Sequence, residues 1–335
     1  MANRNDETRD GPLRGPGASQ PRTGLGVPRP RSDRASGRSS TGPRARPLVL
    51  DRLSSYQGSD TLDTVLRRRQ SVERMLEGYL SDDALSETDG AMPSRVNDEP
   101  GFILHTWDWS ETSQLLDVLT LHYGRVFMVA KGAKRASSQM RGLLTPFCPV
   151  LFNWTGKKEA KQLASVTWLG TMTPLTGETL MSGFYVNELV IRLCRREEVH
   201  PGLFAAYVSV LDTLALGDKA DMQPALRAFE TTILTLAGWQ PVAPDYPEYP
   251  YYRVAEGELV GVSAEQAERC SEAVKDGALV VSREAVGALL TQDFTNKPHQ
   301  RALRDILKAL IQHHLGGREM NTRRILAELN QLTRL

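Results

Sequence analysis

The chain has 335 residues and a formal net charge of +1, a length that fits about two domains and a near-neutral total that hides a local asymmetry. No window resembles a membrane span of about 20 apolar residues, and the N-terminus lacks the apolar segment of a signal peptide. Three widely separated cysteines, Cys148, Cys194 and Cys270, predict a reducing, cytoplasmic setting with the thiols as small core residues.

Residues 1–50 are rich in Arg, Pro, Gly and Ser and are predicted to be a disordered basic tail, because they cannot bury enough apolar surface to offset ordering entropy. Residues 59–81 carry a weak helical period through Leu62, Val65, Leu66, Val72, Met75, Leu76 and Tyr79. The stretch 81–100 reads as an acidic linker, so 1–100 lies outside the folded body.

Order is expected from Gly101. "GFILHTWDW", "QLLDVLTLHYG", "GRVFMVA", "PFCPVLFNWTG" and "KEAKQLASVTWLG" are five closely spaced strand candidates. In the third, Val126, Met128 and Ala130 share one face, and Phe127, Val129 and Lys131 the other. "ASSQMRGLL" is expected to add a helical turn between the third and fourth strands. That order predicts an OB-fold, a small Greek-key barrel, over 101–172.

After Pro174 the period becomes helical. "GETLMSGFYVNELVIRLCRREEVH" has a wide apolar stripe, with Arg195 and Arg196 placed in its last turn. "LFAAYVSVLDTLAL" and "PALRAFETTILTLAGW" follow, the latter with Pro224 in its first turn and Gly238 as its C-terminal cap. Residues 240–281 read as an irregular insert with a hairpin turning at Gly257. "SREAVGALLTQ", "NKPHQRALRDILKALIQHHLGG" and "NTRRILAELNQL" complete a mostly helical domain over 173–335. The fold class is therefore α+β, an N-terminal OB-fold barrel followed by a mostly α-helical domain.

Catalytic patterns are missing from the sequence. There is no Walker A loop, no GxGxxG after a strand, no HExxH and no GxSxG. His313 and His314 are adjacent on a helix and point about 100° apart. Asp108 and Glu111 in "WDWSETS" read as a polar turn, with Ser110 or Thr112 bonding the local backbone. The expectation is a protein that is not an enzyme and holds no cofactor or metal.

Binding residues are easier to find. Between 123 and 168 stand Arg125, Lys131, Lys134, Arg135, Arg141, Lys157, Lys158 and Lys161, against the single acid Glu159. Tyr123, Phe127, Phe147, Phe152, Trp154 and Trp168 are interleaved with them. Cations neutralise phosphates and release counterions, and exposed rings stack bases. These eight cations are the predicted DNA-binding set, with strong salt sensitivity and little sequence preference. An OB-fold RNA-binding or translation-associated module is the alternative reading of the same pattern.

The segments "FILHTWDWSETSQLLDVLT", "GRVFMVAKGAKR", "LTPFCPVLFNW", "SGFYVNEL", "ALRAFE" and "HLGG" followed by "NTRRIL" occur in that order from about residue 101 onward. In them the chain resembles the bacterial RecO family of DNA repair proteins. The resemblance implies an OB-fold and a helical domain that bind single- and double-stranded DNA and anneal complementary strands in the cytoplasm, associated with the nucleoid. It implies RecR and single-strand-binding protein as partners, and loading of RecA. It also implies that Arg227, in "ALRAFE", docks the C-terminal tail of single-strand-binding protein. Some members carry a four-cysteine zinc site in the segment corresponding to 240–281. This chain has only Cys270 there, so that site is not expected, and tyrosine packing from Tyr246 to Tyr252 is expected to replace it.

Overall fold

The computed structural model describes residues 93–169, 173–272 and 279–332. The predicted basic tail, the 59–81 helix and most of the acidic linker lie outside the described residues.

Five strands, β1 (Arg95–Asp108), β2 (Gln114–Thr120), β3 (Gly124–Ala130), β4 (Pro149–Thr155) and β5 (Ala160–Trp168), close into a barrel in the order β1-β2-β3-β5-β4. β1 pairs with both β2 and β4, and β3 closes against β5 in parallel. This is the five-stranded OB arrangement. Val126, Met128 and Ala130 are fully buried, as their alternation predicts, and pack with Leu116, Val118, Phe152, Trp154 and Leu163.

Two features of the barrel differ from the sequence reading. β1 begins at Arg95, where Arg95 and Val96 pair with Thr155 and Trp154. An irregularity between Val96 and Glu99, with Asp98 at φ 51°, breaks the period that would have revealed this. Glu99 is buried and accepts the His122 backbone N–H at 2.7 Å. The helical turn expected in "ASSQMRGLL" is replaced by successive turns closed by Arg135, Ser138 and Arg141 amides. Ser138 Oγ accepts the Met140 amide at 3.3 Å, the local side-chain bond by which serine competes with helix.

The helices are α1 (Gly177–Leu193), α2 (Pro201–Leu216), α3 (Lys219–Leu236), α4 (Ala264–Glu272), α5 (Arg283–Leu290), α6 (Gln300–His314) and α7 (Asn321–Leu332). α1 stops before Arg195 and Arg196, so neither closes its last turn; Arg192 does. α3 starts upstream of its predicted bound because Asp218 caps it, accepting the Ala220 amide at 2.8 Å, which leaves Pro224 inside the helix. The 240–281 segment is more regular than expected. β6 (Tyr251–Ala255) and β7 (Glu258–Val262) form the predicted hairpin, and β8 (Val280–Ser282) adds a strand in the order β7-β6-β8. Glu256 and Gly257 both have positive φ, 50° and 85°, the geometry a two-residue type I′ turn demands. Tyr252 is buried and donates to the Asp245 carbonyl at 2.9 Å, while the Tyr249 ring lies against Gly261.

One end of the barrel's outer face belongs to the helical core. Phe102, Leu104, Leu119 and Leu121 pack with Phe204, Tyr207, Leu189 and Val190, and the Phe102 ring lies 5.7 Å from Phe204 and 5.2 Å from Tyr207. Asn187 on α1 donates to the Leu104 carbonyl at 2.8 Å and accepts from Tyr207 at 2.7 Å. Gly124 sits at the junction with φ 62°. A Cβ there would lie 2.0 Å from the Glu198 carbonyl oxygen, so only glycine lets β3 approach the α1–α2 connection.

Candidate nucleic-acid interface

The predicted cations separate into two groups. Arg125 and Lys161 are engaged inside the fold and, contrary to expectation, do not belong to an exposed DNA-contacting set. Arg125 grips fully buried Asp117 through two bonds of 2.7 and 3.1 Å. It also donates to the Ile191 and Cys194 carbonyls at 2.5 and 2.6 Å, satisfying orphan carbonyls at the α1 C-terminus. Lys161 is 1% exposed. Its Nζ bonds the Lys158 carbonyl at 2.8 Å and Glu197 at 2.7 Å. Both acids that neutralise these cations lie outside the cation-rich segment, which is why sequence counting missed them.

Lys131, Arg135, Arg141, Lys157 and Lys158 are exposed, and Lys134 is half-buried. Two of these, Lys131 and Lys134, are held beside the β1–β2 turn. The Lys134 amide donates to the Thr112 carbonyl at 2.9 Å, and the Gly132 amide to Ser113 Oγ at 3.3 Å. These bonds clasp the β3–β4 connection onto the β1–β2 turn. Lys134 Nζ lies 3.1 Å from exposed Asp108, and Lys131 Nζ bonds Gln162 at 3.2 Å. The turn itself is a local design, because the Ser113 amide donates to Ser110 Oγ at 3.1 Å, as the sequence predicted. Lys157 and Lys158 occupy the β4–β5 turn. Nearby Glu159 is bonded to Arg196, whose guanidinium lies 4.2 Å from the Phe127 ring centroid.

Most of the aromatics named from the sequence serve the packed interior, as small barrels need large inward residues. Phe152 and Trp154 fill the barrel, and Phe147 packs against Phe184 across the α1 contact. Trp168 is exposed. The rings beside the clasped turns are instead His105, Trp107 and Trp109. A bulge between Ile103 and His105 shifts the register. Ile103 points into the barrel, while Leu104, His105 and Trp107 all lie on the outer side. Without the bulge, alternation from Ile103 would bury His105 and Trp107. The sequence carries no signal for that slip.

Arg227 also departs from expectation. Its side chain is not beside an exposed groove but 4% exposed, 2.7 Å from fully buried Glu230. Glu230 accepts from Tyr185 at 2.6 Å, and Arg323 donates to the Tyr185 oxygen at 2.7 Å. Burial and the adjoining Glu230 carboxylate together push the Tyr185 phenol far above its usual range. The placement follows from the α3 stripe: Leu226, Phe229 and Ile233 turn inward, and Arg227 and Glu230 are buried with them. Among the described residues, no group of three or more His, Cys, Asp or Glu is placed to hold a metal ion, and no helix is long and apolar enough to cross a membrane.

A closed OB barrel that carries exposed cations and rings and packs against a helical domain fits the class of OB-fold DNA-binding proteins. Residues 95–172 match the family profile "Recombination protein O N terminal", and 174–324 match "Recombination protein O C terminal". The chain is 36% identical over 246 residues to the DNA repair protein RecO of Aromatoleum aromaticum, covering 71% of this chain and 98% of that one. It is 37% identical to the RecO of Variovorax paradoxus, covering 72% and 100%, and 38% identical to that of Cupriavidus metallidurans, covering 71% and 79%. The chain belongs to the recombination protein O family, and its role lies in DNA repair and recombination.

Proposed function

We propose that the chain binds DNA through the cationic rim of its barrel and anneals complementary strands without hydrolysing nucleotides. In this reading it acts with RecR and single-strand-binding protein to load RecA on single-stranded DNA. The observation that carries it is the set Lys131, Lys134, Arg135, Arg141, Lys157 and Lys158. These stay at the surface of the barrel while the acids nearest the buried cations are consumed internally. The mechanism is charge screening. A cationic surface lowers the repulsion between two phosphate backbones, so strands held near each other pair on collision. Family membership supports the partners named. The burial of Arg227 supports no role for that side chain as an exposed anchor.

Annealing of labelled complementary strands by the full chain, measured in rising salt, tests the reading. Six phosphate contacts correspond to a slope of about −4 in log affinity against log salt on single strands. A flat dependence would exclude backbone contacts as the main source of affinity. Repeating the assay on strands coated with single-strand-binding protein, and measuring retention on that protein immobilised, tests the partner. Loss of annealing on coated strands alone would remove it from the scheme.

A further inference from the structure

We propose that the outer face of β1 and β3 beside the clasped turns is a base-stacking subsite for an unpaired strand, with Trp107 as its central ring. The inference rests on the DNA-binding reading above and adds to it the form of nucleic acid that this face selects.

Three strands build the face. Across them His105 pairs with Asp117 and Asp117 with Phe127, and in the next row Trp107 pairs with Leu115 and Leu115 with Val129. Residues one row apart on the same side of a sheet lie within reach of aromatic side chains. The rings meet accordingly. His105 and Trp107 stand 4.4 Å apart at 74°, and Trp107 and Phe127 6.1 Å apart at 66°. Arg196 covers Phe127, and His105 is exposed beside Trp107; the indoles open to a ligand are Trp107, 39% exposed, and Trp109, 65% exposed in the adjoining turn. Neither belongs to the barrel core or to the helical core. The fold therefore gives no reason for two indoles here.

Charge complementarity identifies the occupant. Lys131 and Lys134 border the rings on one side, and Lys157 and Lys158 lie in the β4–β5 turn beyond Phe127. Asp117 in the middle of the face is fully buried and neutralised by Arg125, and Asp108 is paired with Lys134. Rings flanked by cations suit a polymer that alternates flat apolar groups with phosphates. In a duplex the flat faces are already stacked on one another. Only an unpaired strand can offer them to tryptophan.

The test uses the full chain and three probes of equal length: a thymine oligonucleotide, a strand of abasic sites and a blunt duplex. Wild type should bind the thymine strand on the order of ten-fold more tightly than the abasic one, with quenching of tryptophan fluorescence, as expected when one stacking contact is lost. Trp107→Ala should lower thymine-strand affinity to the abasic level, and Trp107→Phe should retain most of it. Duplex affinity, salt slope and thermal midpoint should stay unchanged in both. The subsite is overturned by equal losses on strand and duplex, by no discrimination against the abasic strand, or by concentration-dependent self-association that Trp107→Ala abolishes. If wild type binds none of the probes at low salt, the DNA-binding reading fails as a whole. If it binds the duplex with a steep salt slope and Trp107→Ala changes nothing, only the subsite fails.

Discussion

Asp117 is the residue on which the junction between barrel and helices turns. It is fully buried on β2, receives both Arg125 bonds, and lies 3.5 Å from Arg196. Removing one partner of such a pair strands the other charge in the interior, at a cost of about 3–5 kcal/mol. Arg125→Ala should therefore lower the unfolding free energy measured in urea by that amount while leaving the salt slope of DNA binding unchanged; a smaller slope with unaltered stability would return Arg125 to the interface. Arg227→Ala should behave in the same way through Glu230. The double substitution Arg227→Met with Glu230→Leu should recover much of the loss, because it removes both buried charges together. Cys194 is a further probe of the junction. Burial pushes its thiol up to about 12, against a smaller opposing pull from Arg125, so thiol reagents at pH 8 should modify it only after unfolding. His314, stacked on Trp239 at 4.5 Å, is held below the usual histidine range by burial and then by His313. The unfolded chain therefore takes up a proton first as pH falls through about 6.5. Stability should decline below that pH, and His314→Gln should flatten the decline.

At the scale of elements, α7 shows how a helix can be capped from a distance. The α1 residue Glu188 accepts the Asn321 and Thr322 amides at 2.7 and 2.8 Å and the Thr322 hydroxyl at 2.7 Å. Its carboxylate also complements the positive end of the helix dipole. The cap is therefore a tertiary one, supplied by α1. Glu188→Ala should cost about 1–2 kcal/mol and speed hydrogen exchange in α7 before the barrel is affected. Equal acceleration across β1 to β5 would show that Glu188 supports the whole body instead. The strand register was legible where alternation is unbroken, as in β3. It was not legible in β1, where irregularities after Val96 and after Ile103 reset the faces. A bulge is chosen by how a strand must bend to close the barrel, and that closure is not encoded in any one short window.

For the molecule as a whole, the barrel uses its outer surface twice. Part of it is buried against α1 and α2, and the remainder carries the exposed cations and indoles. The two uses meet at Gly124, where a Cβ would collide with the Glu198 backbone. Gly124→Ala should therefore destabilise the chain by more than the roughly 1 kcal/mol expected from its positive φ alone, because β3 must move away from the helical domain. A loss confined to that value in chemical denaturation would show that the junction yields easily.

The sequence by itself determined most of the elements, the OB-then-helical order and the existence of a cation-rich segment, because periodicity and composition act over a few residues. It also carried enough of the family pattern to place the chain among the recombination O proteins. Only the tertiary structure decided which cations remain available. Arg125 and Lys161 are indistinguishable from their neighbours along the chain, yet they meet Asp117 and Glu197 across the fold. Charge pairing and bulge position depend on which distant residues the closed barrel brings together, so they are settled by three-dimensional proximity and not by local pattern.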